Sequence, residues 1–163
     1  MWKLINSSIH GKGIVATTNI KKGKKIIEYV GEKILKSEGD KRSEKRINKY
    51  LNSDKTGSVY IFELNKKYDI DGSFKYNKAR YINHSCNPNC EVDIFDNRIW
   101  ISSIKNIRKG EELSYDYGFS YSKEDLKNFV CKCGSVNCCG YIVREPSRWR
   151  INKRFKISNR TNK

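Results

Sequence analysis

Three cysteines lie within eight residues of one another near the end of the chain, namely Cys131, Cys133 and Cys138. Thiols this closely spaced suit a tetrahedral zinc ion better than disulfide bridges, because structural zinc takes four nitrogen or sulfur ligands. The chain opens without the apolar stretch of a signal peptide, so an oxidising compartment is not expected. A fourth ligand must come from a distance, and Cys86 in Asn83-His84-Ser85-Cys86 is the expected donor. The fold must then bring together two segments that are more than forty residues apart.

The chain is strongly basic, with 34 Lys and Arg residues against 18 Asp and Glu residues in a total of 163. Ten Tyr residues and an aromatic content of 12 % are unlike a disordered basic chain, and they predict a folded domain. The net charge of +16 favours an acidic partner such as nucleic acid. An AT-rich genome produces the same Lys- and Asn-rich surface, so both explanations stay open. No stretch approaches the roughly 20 apolar residues of a membrane span, and neither membrane insertion nor secretion through a signal peptide is expected.

The basic excess is concentrated near the C-terminal end. Residues 144–163 contain eight Lys or Arg residues and one acid, which gives a net charge of +7. Trp149, Ile151, Phe155 and Ile157 lie among these charges, so a short amphipathic docking helix and a frayed basic terminus are both possible. We therefore predict one domain followed by a basic tail.

Short apolar runs bounded by Gly, Asn, Asp and Lys predict a strand-rich body. These runs cover residues 14–16, 25–30, 59–64 and 68–70. The clearest hairpin joins Glu91–Phe95 to Arg98–Ile104 through an Asp96-Asn97 turn.

Two further segments have helical patterns. Ser37–Leu51 is highly charged and predicts an exposed helix whose Ile47, Tyr50 and Leu51 face inward. Ser122-Lys123-Glu124-Asp125 resembles a capping box that opens a short helix ending at Phe129. Short strands without regular βα alternation favour a mainly β fold over a doubly wound sheet.

Four stretches, in this order, resemble motifs of the SET-domain protein lysine methyltransferases. They are Ile9-His10-Gly11-Lys12-Gly13-Ile14, Arg80-Tyr81-Ile82-Asn83-His84-Ser85-Cys86-Asn87-Pro88-Asn89-Cys90, Glu111-Glu112-Leu113-Ser114-Tyr115-Asp116-Tyr117, and Cys131-x-Cys133-x4-Cys138 with Gly140-Tyr141-Ile142. Order and spacing agree over about residues 4–142, and the chain most resembles the trithorax-like branch of histone methyltransferases. The resemblance implies several small sheets around a C-terminal pseudoknot, with short helices and a zinc-bound post-SET segment.

The resemblance also implies a division of the chain and a set of ligands. The SET domain is expected at residues 1–125, the post-SET zinc segment at 126–143 and the basic tail at 144–163. One structural zinc ion is expected on Cys86, Cys131, Cys133 and Cys138. The remaining thiols, Cys90 and Cys139, have no expected role.

The same resemblance implies S-adenosylmethionine as cosubstrate and methylated lysine as product. Residues that match cosubstrate-binding positions are His10, Lys12, Gly13, Tyr60, Asn83, His84, Tyr141 and Ile142. Tyr117 matches the catalytic tyrosine, Tyr115 the position that tunes how many methyl groups are added, and Tyr60 a wall of the lysine channel. The extra hydroxyl of Tyr115 in a tight channel favours mono- or dimethylation over trimethylation.

A protein lysine is therefore the expected substrate, with histone H3 the first choice and a contact of the basic tail with nucleosomal DNA possible. A non-histone basic protein of ribosomal or nucleoid type, and a catalytically silent chromatin-binding module, are the alternatives. A zinc-dependent nucleic-acid binder lacks a recognition element here. The expected location is the nucleus in a eukaryote, or the cytoplasm or a host nucleus for a bacterial or viral chain. The oligomeric state is not predicted.

Overall fold

The computed structural model describes residues 1–51, 59–120, 122 and 129–151. In this part of the chain, small sheets predominate and only one α-helix is present. The strands are β1 (Trp2–Asn6), β2 (Lys12–Ala16), β3 (Lys25–Tyr29), β4 (Glu32–Leu35), β5 (Ile61–Glu63), β6 (Tyr68–Asp71), β7 (Asn83–His84), β8 (Cys90–Phe95), β9 (Arg98–Ser103) and β10 (Ser114–Tyr115). The α-helix is α1 (Lys36–Leu51), and 3-10 helices cover Lys78–Tyr81 and Glu145–Arg150. The mainly β fold predicted from the sequence is confirmed.

The ten strands form four separate groups. Strands β1 and β2 pair antiparallel, and three-stranded antiparallel sheets are formed in the orders β3-β9-β8 and β4-β6-β5. The fourth group is the short parallel pair of β7 with β10. The predicted hairpin is β8–β9, and its turn residues Asp96 and Asn97 have φ angles of 52° and 53°. Asn and Asp tolerate this left-handed region better than most residues, which explains their presence in the turn.

The predicted strand runs overlap β2, β3, β5 and β6, and the predicted helix begins one residue earlier than expected, at Lys36. The sequence patterns did not reveal β1, β4 or the two-residue strands β7 and β10. The helix predicted from Ser122 to Phe129 falls mostly outside the described residues, as do the side chains of Tyr50 and Leu51.

Apolar residues from different sheets meet in one core. Its largest side chains are each at most 1 % exposed, namely Ile14, Ile82, Ile99, Ile101, Ile107 and Leu113. Full burial of a side chain of this size contributes roughly 1.5–3 kcal/mol relative to exposure. The core therefore joins the separate sheets of the described part of the chain.

The segment 110–115 is held on two sides. Leu113 N–H donates to Ile14 O at 2.8 Å and Ala16 N–H donates to Glu111 O at 2.9 Å, so the segment lies against β2. Its end, β10, pairs with β7. This double attachment places the second motif between β2 and β7, and the pseudoknot itself stays a prediction.

Helix α1 is anchored to its sheet by a buried carboxylate. The Asp71 side chain is only 1 % exposed and accepts hydrogen bonds of 2.9 Å from both Arg42 and Arg46. Burial opposes ionisation of Asp71, but the hydrogen bonds from Arg46, Arg42 and Ser73 outweigh it and hold its pKa well below the usual range. The helix is thereby fixed over the β4-β6-β5 sheet.

The first part of the predicted tail packs against the domain. Ser147 and Arg148 in the 3-10 helix at Glu145–Arg150 are buried, whereas Trp149 is 44 % exposed. Residues 152–163 lie outside the described part of the chain. Among the described helices, none has the length and apolar character that crossing a membrane requires.

Asp71→Asn is expected to lower the free energy of unfolding by roughly 2 kcal/mol, because two charge-assisted hydrogen bonds to a buried acceptor are weakened. Since the folded-state pKa is depressed, the advantage of the wild type is complete above the ordinary Asp pKa of about 3.9 and shrinks as the pH falls below it. Urea unfolding at pH 7 and pH 3 measures both effects. The matched control is Asp96→Asn in the exposed β8–β9 turn, and an equal loss in both variants would contradict the anchoring role.

Candidate functional site

The two central motifs meet at the β7–β10 pair. Asn83 lies opposite Ser114 and His84 opposite Tyr115, although each pair is 31 residues apart in sequence. Ser85 N–H donates to Tyr115 O at 3.2 Å and extends the pairing by one bond. This pairing positions the polar residues of one motif beside the tyrosines of the other.

Aromatic rings form a continuous wall next to this pair. The ring centroids of Tyr115 and Tyr117 are 5.0 Å apart, and those of Phe62 and Tyr115 are 5.7 Å apart. Tyr29 packs on Phe62 at 4.4 Å and Phe119 on Tyr117 at 5.9 Å. Three members of this wall, Tyr29, Phe62 and Phe119, were not predicted from the sequence.

A cavity of about 380 Å³ opens on the aromatic wall. Six of the predicted site residues line it, namely His10, Lys12, Tyr60, Asn83, Tyr115 and Tyr117. The other predicted cosubstrate residues, Gly13, His84, Tyr141 and Ile142, are described but do not line this cavity. Ile142 instead lines a neighbouring cavity of about 250 Å³, which shares Val59 and Phe119 with the first.

Asn83 connects β7 to the loop between β1 and β2. Its amide nitrogen donates to Ser7 Oγ at 3.0 Å, to His10 O and Lys12 O at 3.2 Å, and to Glu112 Oε1 at 2.9 Å. The loop is thus fastened at the edge of the cavity. All four acceptors face the amide nitrogen, which sets the orientation of the side chain.

Glu112 is a structural partner that the sequence did not assign. Its carboxylate accepts the Ser7 hydroxyl hydrogen bond at 2.7 Å and the Asn83 amide, and it lies so close to Gly13 that a Cβ there would collide with Oε1. Gly13 therefore permits the close approach of the start of β2 to Glu112. Glu112 belongs to the second motif, but no local pattern links it to Ser7, which is 105 residues away.

A second unassigned residue, Arg80, stacks on the cavity wall. Its guanidinium carbon lies 4.1 Å from the Tyr60 ring centroid, within the range of a cation–π contact. Arg80 Nε is buried without a hydrogen-bond partner among the described residues. The stacking holds the Tyr60 ring at the cavity.

His84 lies behind the cavity, between Tyr117 and the cysteines. Its Nδ1 accepts a hydrogen bond from Tyr117 N–H at 3.2 Å, and its Nε2 lies 3.6 Å from Cys86 Sγ. Burial lowers the pKa of His84 to about 4, despite the opposing effect of the Asp116 carboxylate. The imidazole is therefore neutral at pH 7 and carries its hydrogen on Nε2, directed at the sulfur.

Four sulfurs form a compact group beside His84. The Sγ atoms of Cys86, Cys131, Cys133 and Cys138 all lie within 4.8 Å of one another. Cys86 Sγ is 3.9 Å from Cys131 Sγ and 3.9 Å from Cys138 Sγ. A tetrahedral ion with zinc–sulfur bonds of about 2.3 Å requires a separation of about 3.8 Å. The sulfur group therefore fits one zinc ion in both donor type and spacing.

The other two cysteines lie apart from this group. Cys90 is 1 % exposed in the core, and burial raises the pKa of its thiol to about 12. Cys139 Sγ donates to Tyr141 O at 3.1 Å. Both are protonated thiols at neutral pH.

The SET domain family matches residues 11–118 of the chain. "Histone-lysine N-methyltransferase ASHH3" of Arabidopsis thaliana is 40 % identical over 153 residues, which cover 91 % of this chain and 40 % of that protein. "Histone-lysine N-methyltransferase, H3 lysine-4 specific" of Saccharomyces cerevisiae is 40 % identical over 140 residues, 83 % of this chain and 12 % of that protein. "Histone-lysine N-methyltransferase trithorax" of Drosophila virilis is 38 % identical over 143 residues, 85 % of this chain and 4 % of that protein.

The chain thus spans two fifths or less of the length of these relatives. The matched region 11–118 contains the β7–β10 pair and the tyrosines of the cavity wall. Of the residues that Asn83 fastens it includes Lys12, whereas Ser7 and His10 precede it. Fold, motif order and sequence match agree, and the chain belongs to the SET domain family.

Proposed function

We propose that this chain carries the activity of an S-adenosylmethionine-dependent protein lysine N-methyltransferase, with a histone H3-type lysine as its substrate. The observation that supports this most directly is that one cavity is lined both by Asn83 with His10 and Lys12 and by the tyrosines Tyr60, Tyr115 and Tyr117. One part of the cavity offers polar groups for a zwitterionic ligand, and another offers aromatic faces for an alkyl-ammonium chain. Both the Arabidopsis thaliana and the Saccharomyces cerevisiae relatives are named histone-lysine N-methyltransferases, which supports the choice of a histone lysine.

In the proposed reaction, S-adenosylmethionine supplies a methyl group from its sulfonium, and the lysine amine takes it by in-line displacement. The amine must first lose a proton, since lysine has an ordinary pKa of about 10.4. A channel walled by Tyr60, Tyr115 and Tyr117 would desolvate the ammonium and lower that pKa. We propose that the proton leaves to water in the channel without a dedicated carboxylate base.

The protonation of the tyrosines supports this assignment. Burial, reinforced by neighbouring tyrosines, raises the pKa of both Tyr115 and Tyr117 above the usual value, so both hydroxyls stay neutral. Tyr117 Oη donates its proton to Ile82 O at 3.0 Å. Its oxygen lone pairs remain available for weak C–H···O contacts that hold a methyl group in line. We therefore propose that Tyr117 acts by positioning and electrostatics.

We propose that His10, in the loop between β1 and β2, and Lys12 and Gly13, at the start of β2, border the methionine part of the cosubstrate. The Lys12 ammonium suits a carboxylate, and the Asn83 amide nitrogen is committed to protein acceptors. The carboxamide oxygen of Asn83 can then accept from the cosubstrate ammonium. His84 would contribute through its backbone and neighbours, since its ring lies behind the cavity.

The adenine is proposed to lie against the second motif and the post-SET segment, covered by Tyr141 and Ile142. The neighbouring cavity that Ile142 lines is apolar and includes Phe119 and Phe129, which suits a planar base. Four cysteine ligands would leave the zinc ion no open position for substrate, so we propose a structural role for it. Removal of the metal would therefore be expected to loosen the packing of Tyr141 and Ile142 over the adenine.

The proposed division of the chain is a SET domain at residues 1–125, a post-SET zinc segment at 126–143 and a basic tail at 144–163. We propose a chromatin location, with the tail in contact with nucleosomal DNA. A non-histone basic substrate and a silent chromatin-binding module remain the competing functions. A labelled-methyl assay on histones, on mixed basic proteins and on the chain itself separates all three.

Tyr117→Phe is expected to lower methyl transfer to a histone H3 peptide roughly a hundredfold or more, because a small misplacement of the reacting groups has a cost of this order. Mass spectrometry of the peptide measures the loss and also reports the methylation state, which we propose to be mono- and dimethyl-lysine. Circular dichroism checks that the variant folds. The exposed Tyr76→Phe is the control, and full activity of Tyr117→Phe would refute its assignment.

Cys138→Ser is expected to reduce bound zinc from one per chain to well below one after dialysis against a chelator, because one of four thiolate ligands is lost. Cys139→Ser is the matched neighbour, and it should keep its zinc since serine also donates a hydrogen bond to Tyr141 O. Elemental analysis by mass spectrometry measures the metal. Equal zinc content in the two variants would contradict the proposed ligand set.

Deletion of residues 152–163 removes five Lys or Arg residues and no acid, while the buried Arg148 is retained. Nucleosome methylation is expected to fall and its salt dependence to become shallower by up to about five in log–log slope, since phosphate contacts are lost. Methylation of a free H3 peptide should stay unchanged. A full-length variant with the five residues changed to Gln should behave like the deletion, and equal losses on both substrates would exclude DNA contact.

A further inference from the structure

A buried arginine, Arg148, follows the cysteine-rich segment in sequence. Arg148 is 4 % exposed and lies in the 3-10 helix at Glu145–Arg150. Its guanidinium donates from Nη1 to Cys86 O at 2.8 Å, from Nη2 to Asp116 Oδ2 at 2.7 Å and from Nε to Val143 O at 3.0 Å. One side chain thus joins three segments that are far apart in sequence.

The three residues that accept hydrogen bonds from Arg148 belong to different parts of the candidate site. Cys86 belongs to the sulfur group, and Asp116 lies in sequence between Tyr115 and Tyr117, which both line the cavity. Val143 lies four residues after Cys139, the last cysteine of the chain. Arg148 therefore connects the sulfur group, the cavity wall and the residues after the cysteines.

Asp116 has further contacts that restrict its position. Its Oδ1 accepts from Gly118 N–H at 2.9 Å, and its Oδ2 also accepts from Glu145 N–H at 3.1 Å. The carboxylate thus accepts one hydrogen bond from the turn that follows Tyr117 and one from the first residue of the 3-10 helix. A shift of Asp116 would move the backbone of Tyr117, its immediate neighbour.

The chemistry of the contact requires an arginine. A planar guanidinium offers donors in fixed directions, and here three of them reach three separate acceptors. A lysine ammonium is a point charge that cannot reach all three from one position. Methionine, which has no hydrogen-bond donor, would remove the hydrogen bonds to the Cys86 and Val143 carbonyls and would leave Asp116 without its cation.

We propose that Arg148 is a positioning residue of the lysine channel, and that it fixes Asp116, and through it Tyr117, relative to Cys86. This inference rests on the proposed methyltransferase function. It gives Arg148, in the first part of the proposed tail, a packing role, and it leaves the proposed DNA contact to residues 152–163. Through Arg148, the 3-10 helix at Glu145–Arg150 holds Cys86 and Asp116 in a fixed relative position.

The test compares Arg148→Met, Arg148→Lys, Asp116→Asn and the double variant Arg148→Met with Asp116→Asn. Steady-state methylation of an H3 peptide is measured at saturating S-adenosylmethionine and well below the unfolding temperature of each variant. The rates are divided by the concentration of zinc-loaded chain to give kcat and the peptide KM. Arg148→Met and Asp116→Asn should each lower kcat about tenfold or more, because misplaced reacting groups lose rate at this scale. The peptide KM should change less than kcat, and Arg148→Lys should lie between the wild type and Arg148→Met.

The double variant should lose no more kcat than the worse single variant, because both changes break the same contact. A kcat like that of the wild type in Arg148→Met, or losses that multiply in the double variant, would overturn the proposal. The exposed Arg108→Met is the control for loss of one positive charge.

Zinc release to a chromogenic chelator gives a second measurement that does not depend on turnover. Arg148→Met should release zinc roughly tenfold faster than the wild type and Arg108→Met, as expected for a lost partner next to a metal ligand. If the wild type transfers no methyl group, the proposed function fails. In that case an unchanged release rate in Arg148→Met would also refute the claim that Arg148 holds Cys86 and Asp116 together. Faster release would support that claim independently of methyl transfer.

Discussion

The parallel pairing of β7 with β10 is the contact on which the rest of the site depends. It places Asn83 and His84 beside Ser114 and Tyr115, and it consists of only two residues in each strand. Such a short pair does not persist in water by itself, because a few hydrogen bonds do not offset the loss of chain entropy. It must therefore be supported from its surroundings.

That support comes mainly from buried polar side chains. Asn89 bridges the pair from the side, since Ser114 N–H donates to its Oδ1 at 2.9 Å and its Nδ2 donates to Glu112 O at 2.8 Å. His84 joins the backbone of Tyr117 to Cys86, and Arg148 joins Cys86 to Asp116. In a fold of many short strands, these side chains satisfy backbone groups that a larger sheet would satisfy with its own strands. A satisfied buried network of this kind gives the cavity a fixed shape.

The sequence predicted those strands and helices that are determined by residues close to one another in the chain. The β8–β9 hairpin follows from alternating residues around Asp96-Asn97, and α1 follows from charge spacing within one segment. The four sulfurs were predicted from ligand number and spacing, and the motifs predicted the family. Strands β7 and β10 were not predicted, because two residues have no periodicity. The contacts of Glu112 with Ser7 and of Arg148 with Asp116 were also missed, since long-range polar pairs leave no pattern in the chain.

The most direct measurement is the crystal structure of the full chain grown with S-adenosylhomocysteine and a lysine-containing H3 peptide. The thioether sulfur should lie in the cavity of about 380 Å³, with the lysine amine reaching it between Tyr60, Tyr115 and Tyr117. Asn83 Oδ1 should accept from the ligand ammonium. Binding of the ligand or the peptide at another place, with this cavity unfilled, would contradict the proposed methyl-transfer site.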